Sequence, residues 1–204
     1  MLRVDFNSTV LDAKAFIREN KVKFLVGIVV IVIGGVLGVV SALNFNEVTR
    51  VYLLRFNVFL VLTGDRGFGG YFLVRWLLLL AMVLAMSLVG IRPLTCWLAP
   101  IFVFIFAYQA LLFVTLMFIY GAVRVLPLML LGVIPFMLIA FFILTFYMAF
   151  VFCLAKNSPI LRINDCKCYF KSVGLKFLFC AIIFAVFAVL ETAFVFLLSI
   201  GIAY

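Results

Sequence analysis

Phe24-Leu-Val-Gly-Ile-Val-Val-Ile-Val-Ile-Gly-Gly-Val-Leu-Gly-Val-Val-Ser-Ala-Leu43 decides the fold class of this chain, because none of its side chains is charged. An α-helix rises about 1.5 Å per residue, so about 20 such residues cross a hydrocarbon core roughly 30 Å thick. Four further apolar runs follow, at residues 72–91, 95–122, 126–154 and 177–203. With 70% apolar and only 11% charged residues, the chain lacks the polar surface of a soluble domain. The reading is an all-α polytopic membrane bundle with five transmembrane helices.

Basic residues give the orientation. Arg3, Lys14, Arg18, Lys21 and Lys23 precede the first run, and Lys156, Arg162, Lys167, Lys171 and Lys176 lie between the fourth and the fifth. Five crossings put both groups on one side with Arg92, eleven cations against Arg50, Arg55, Arg66, Arg75 and Arg124 on the other. Cations are retained in the cytoplasm during insertion, which places the N-terminus inside and the C-terminus outside. The net charge of +9 is then mostly a topology signal, with an attraction to anionic lipid, and nucleic acid is excluded as its explanation.

The layout divides into a cytoplasmic or interfacial segment, 1–23, and a five-helix domain, 24–204, with an external loop at 44–71 and a cytoplasmic loop at 155–176. A secretory signal has a short basic start and about 7–15 apolar residues, whereas 23 residues precede a run of 20 here. Run one therefore reads as a retained anchor. Thr9-Val-Leu-Asp12 resembles a capping box ahead of Val10, Ala13, Phe16 and Ile17, which share a helical face. An interfacial helix and an ordinary polar tail both fit. In the external loop, Val51, Leu54, Val58 and Leu62 fall at helical spacing, as in an amphipathic helix at the outer interface. The glycines of Thr63-Gly-Asp-Arg-Gly-Phe-Gly-Gly70 match no phosphate-cradling spacing.

Proline and glycine set the finer organisation. Arg92-Pro93 permits only a tight turn between runs two and three, and Gly121 and Pro127 bracket another around Arg124. Run four exceeds the bilayer and carries Gly132 and Pro135. A proline deletes a main-chain hydrogen bond, which predicts a kink there. That kink either fits neighbouring helices or forms half of a site. In run one, Gly27, Gly34, Gly38 and Ser41 make one small-residue stripe that admits a helix closely, from this chain or from a partner.

Chemistry is sparse. Without histidine, the usual general base and the commonest metal ligand are missing. Of seven carboxylates, Asp5, Asp12, Glu19, Glu47, Asp65 and Asp165 fall outside the runs, leaving Glu191 as the deep one. A two-carboxylate intramembrane hydrolase has no second acid, so no catalytic residue, metal or cofactor is assigned. An unpartnered charge at that depth disfavours insertion by roughly 2.5–3.5 kcal/mol, so Glu191 is expected to face the bundle interior. Gln109, Tyr108, Thr115, Thr145, Tyr147, Arg75 and Arg92 are its candidate partners. It reads either as a relay or docking group, or as a hydrogen-bonded carboxyl fixing helix register. Cys166 and Cys168 form a lone C-x-C, a weak metal signal that reads either as a site of acylation or as a pair without a role.

Phe24-Leu-Val-Gly-Ile28 through Gly34-Gly-Val-Leu-Gly38 to Ser41-Ala-Leu-Asn-Phe45 resembles the first helix of the family of stage II sporulation protein M. Leu131-Gly-Val-Ile-Pro135 is similar to that family's proline-bearing fourth helix, and Ala188-Val-Leu-Glu191-Thr-Ala-Phe194 to its glutamate-bearing last helix. The resemblance implies a non-catalytic subunit of the bacterial plasma membrane. It also implies membrane-anchored protein partners, among them peptidoglycan-degrading enzymes of a sporulation complex that remodels the cell envelope. The alternative is a small-molecule, ion or lipid transporter subunit using Glu191 and the Pro135 break. Reporter fusions at Asn164 are expected to report cytoplasm and fusions after Tyr204 the exterior, and both ends on one side would rule out five crossings.

Overall fold

In lipid every main-chain N–H and C=O must be satisfied within the protein. The computed structural model, which describes residues 15–50, 68–92, 94–120, 128–157 and 163–202, does this with helices, and no strand occurs among those residues. In chain order they are α1 (Lys21–Asn44), α2 (Phe68–Val89), a 3₁₀ turn (Cys96–Leu98), α3 (Ala99–Tyr120), a π-helical stretch (Leu128–Val133), α4 (Ile134–Asn157) and α5 (Ile163–Ile202). Four segments are long and apolar enough to cross a membrane: Lys21–Asn44, Cys96–Ile119, Ile134–Ala155 and Val173–Ala193. Within α2 the shorter apolar segment Trp76–Val89 completes the set. The capping-box residues, the amphipathic stretch at 51–62 and the turn around Arg124 lie outside the described residues.

Cross-helix contacts fix the helix directions. The Trp76 indole donates to the Ala181 carbonyl at 3.1 Å, and the Tyr169 hydroxyl to the Ser87 carbonyl at 2.7 Å, so α2 and α5 are antiparallel. Trp97 meets Phe152 and Phe106 meets Phe141, both at 5.2 Å between ring centres, so α3 and α4 are antiparallel too. Lys23 reaches Cys153 while Gly27 faces Thr145, which opposes α1 to α4. Successive helices therefore alternate in direction. The basic ends carrying Lys21, Lys23, Arg92, Lys171 and Lys176 gather at one end of the bundle.

α5 departs from the expected layout, since it starts at Ile163 and turns most of the expected loop 155–176 into helix. Its stripe supplies the reason. Tyr169, Val173, Cys180, Phe184 and Ala188 are all buried, at spacings that hold one helical face. Lys171 and Lys176, read as loop punctuation, are instead exposed on the face of a continuous helix.

α1 attaches by glycine. Its buried residues are Gly27, Gly34, Gly35, Gly38 and Ala42, while Val32, Ile33, Val36, Leu37 and Val40 point outward and are exposed. A β-carbon at Gly34 would sit 2.8 Å from the Phe104 carbonyl oxygen, and one at Gly35 3.2 Å from the Leu111 side chain. At Gly38 it would run into the Tyr108 carbonyl. These contacts climb both helices together, so α1 and α3 are parallel and in main-chain contact. Ser41 is half-buried, with its carbonyl accepting the Phe45 N–H at 3.0 Å.

Replacing Gly34 or Gly38 by leucine is expected to force these helices apart, destabilising the bundle by about 1–3 kcal/mol each. The same change at Gly174, with nothing within 4 Å of the added carbon, is expected to be neutral. Thermal unfolding of the three variants in lipid nanodiscs checks both.

Candidate functional site

Glu191 is 3% exposed, and its neighbour Thr192 is fully buried with its hydroxyl on the Ala188 carbonyl at 2.5 Å. The helix register fixes its depth. The Phe136 and Phe187 rings lie 6.2 Å apart on antiparallel α4 and α5. One turn beyond Phe187 is Glu191, and one turn before Phe136 is Gly132, inside the π-helical stretch that packs against α5. A π turn carries an extra residue and loosens the regular ladder, and Pro135 lacks an N–H, so a carbonyl of the preceding turn loses its main-chain donor. The buried carboxyl and the irregular main chain thus share one depth. Pro135 itself faces outward and is exposed.

The other candidates sit elsewhere. Gln109 is half-buried on α3, where the α3–α4 register sets it level with Leu138, roughly 9 Å along the axis from Gly132. Thr115 donates to its own helix at the Leu111 carbonyl, 2.8 Å away. Tyr108 stacks on Phe104 and packs against the small cluster of Ala42, Leu112 and Leu116. Arg92 is exposed at the basic end. Thr145 is buried with its hydroxyl unbonded among the described residues, its methyl side turned to Gly27. The Arg75 side chain lies outside the described residues, as do those of Cys166 and Cys168.

Tyr147 belongs to a different cluster. Its hydroxyl lies 2.6 Å from that of Ser87, which also bonds the Val83 carbonyl at 2.7 Å. Tyr169 completes the set through the Ser87 carbonyl. Burial, reinforced by the nearby Tyr147 and Cys96, pushes the Tyr169 phenol above the usual tyrosine range, so it stays a neutral donor. Tyr147 faces Cys180, and Cys180 is roughly 16 Å along α5 from Glu191. Three helices, α2, α4 and α5, are joined by hydroxyls that sequence separations of 60 and 82 residues hide. An isolated serine within run two was the only local sign.

A third polar group ties α1 to α4. The Lys23 ammonium donates to Asn20 Oδ1 at 2.7 Å and to Cys153 Sγ at 2.8 Å, and that thiol lies 2.9 Å from the same Asn20 oxygen. Phe16 and Phe24 pack on Phe146 alongside, with ring centres 5.0 and 6.0 Å away. The turn before α1 is thereby docked on the bundle. Among the described residues, no group of three or more carboxylates and thiols is placed to hold a metal.

Comparison with protein-family models, with curated proteins and with solved structures gave no match.

Tyr147→Phe and Ser87→Ala are each expected to destabilise the bundle by about 0.6 kcal/mol, an ordinary value for hydrogen bonds between helices in a bilayer. The two losses are expected to be non-additive, because either change removes the same bond. A double-mutant cycle on unfolding in bicelles measures this.

Proposed function

We propose that this chain is a non-catalytic integral membrane subunit that scaffolds or recruits the partners of a cell-envelope remodelling complex, in keeping with its resemblance to the stage II sporulation protein M family. Its place is the bacterial plasma membrane, crossed five times with the N-terminus inside. The alternating helix directions support five crossings. The gathering of Lys21, Lys23, Arg92, Lys171 and Lys176 at one end supports that end as the cytoplasmic one.

The observation that carries the scaffold reading is the attachment of α1. Its glycine face is consumed by α3 and, at Gly27, by α4, and its valine, leucine and isoleucine face runs along the outside of the bundle. That surface suits lipid or a partner's helix. The interior is filled by Phe106, Phe113, Met86, Leu144, Tyr147, Met148 and Phe184, which leaves bonded hydroxyls in register-fixing roles. Partners in this reading are membrane-anchored, peptidoglycan-degrading enzymes among them.

A second reading, a transporter subunit, is favoured by one specific observation: Glu191 lies at the depth of the π-helical stretch before Pro135. Carboxyls at such irregularities serve as ion or proton sites in transporters. Glu191→Gln and Glu191→Leu separate the two. A carboxyl that fixes register tolerates glutamine, which keeps size and hydrogen bonding, and fails with leucine, which leaves its neighbours unpaired. The expected outcome is near-normal assembly and partner recovery for glutamine, and loss of both for leucine. Normal assembly of the glutamine variant with abolished flux in reconstituted vesicles would favour the transporter.

A further inference from the structure

A groove of about 220 Å³ runs between α4 and α5, walled by Phe142, Phe146, Phe150, Phe179 and Ile183, with Lys176 at one end. All of its exposed lining is apolar, so the lysine contributes its methylene stem to the wall. Long cationic side chains do this where the stem lies in hydrocarbon and the ammonium reaches the headgroup layer. Antiparallel packing sets Phe150 beside Lys176 and Phe142 beside Ile183, which gives the groove a direction. From Lys176 to Ile183 it descends roughly 10 Å along α5, within the roughly 15 Å of one leaflet's hydrocarbon. Its charged end is the end of the bundle where Lys23, Arg92 and Lys171 gather, and no carboxylate lines it.

We propose that this groove is a binding site for an anionic phospholipid, with one acyl chain against the phenylalanines and the headgroup phosphate held by Lys176. Charge complementarity selects this occupant. A zwitterionic lipid brings its own cation to the lysine, whereas an anionic headgroup in the inner leaflet is attracted by each nearby basic residue. A larger groove, about 470 Å³, between α1, α3 and α4 provides the contrast. Ile31, Gly35, Val39, Leu111 and Leu138 line it without any charged residue, so it accepts acyl chains without regard to headgroup. The proposal goes beyond the scaffold reading and holds for either function.

Native mass spectrometry of the purified full chain, titrated with phosphatidylglycerol and with phosphatidylcholine, tests it. Phosphatidylglycerol is expected to bind at least fivefold more tightly. Lys176→Gln is expected to abolish that preference and Lys176→Arg to keep it. Ile183→Trp, which fills the groove, is expected to lower phosphatidylglycerol binding, and Leu111→Trp in the other groove to leave the preference intact. Thermal unfolding of each variant verifies that it is folded. A photoreactive residue at position 179 is expected to label phospholipid in native membranes. Equal binding of the two lipids, a preference that survives Lys176→Gln, or labelling of polypeptide instead of lipid would each overturn the proposal.

Discussion

Main chain against main chain, at Gly34 and Gly38 of α1 and the Phe104 and Tyr108 carbonyls of α3, is the contact on which the rest of the arrangement depends. In a bilayer the tails are as apolar as the side chains, so helices gain nothing by hiding from solvent and associate through close packing. Four glycines and an alanine are all that α1 buries, so its attachment is a matter of fit at short range. A parallel pair fixed this tightly sets the depth of Gly27 against Thr145 and of Lys23 against Cys153. The register of α4, and through Phe136 and Phe187 that of α5, follows from the same contact.

Polarity inside the bundle is placed at two levels that do different work. Near the basic end, Ser87, Tyr147 and Tyr169 join three helices, and Asn20, Lys23 and Cys153 tie in the first. Toward the opposite end, Glu191 lies where α4 is preceded by a π-helical stretch. One level therefore restrains the helices while the other coincides with the least regular main chain. A hydrogen bond between helices is worth little singly in a membrane, because the separated helices find substitutes. Its value lies in fixing which turn faces which.

The apolar runs made the helical membrane class legible, because length and composition alone separate a spanning helix from a soluble one. Individual boundaries were harder. α5 begins at Ile163, well before the apolar run, since Tyr169 and Val173 bury a stripe that Lys167, Lys171 and Lys176 obscure in a hydropathy reading. Period alone defines the Gly27, Gly34 and Gly38 stripe, but the residues opposite it depend on the register of α3, which α1 does not encode. The Ser87–Tyr147–Tyr169 cluster left no local trace, because hydroxyls that meet across three helices have no common spacing. Gly132 and Pro135 marked a weak point in the ladder without revealing that it relaxes by widening into a π turn.

α5 is a single 40-residue helix, roughly 60 Å long at 1.5 Å per residue and about twice the hydrocarbon thickness. Its basic first quarter stands beyond the apolar span Val173–Ala193 as a stiff extension of the membrane part. A rod of this kind has little slack. Force applied to its charged end is delivered as torque about the Trp76–Ala181 and Tyr169–Ser87 contacts, and Glu191 lies on the opposite arm of that lever.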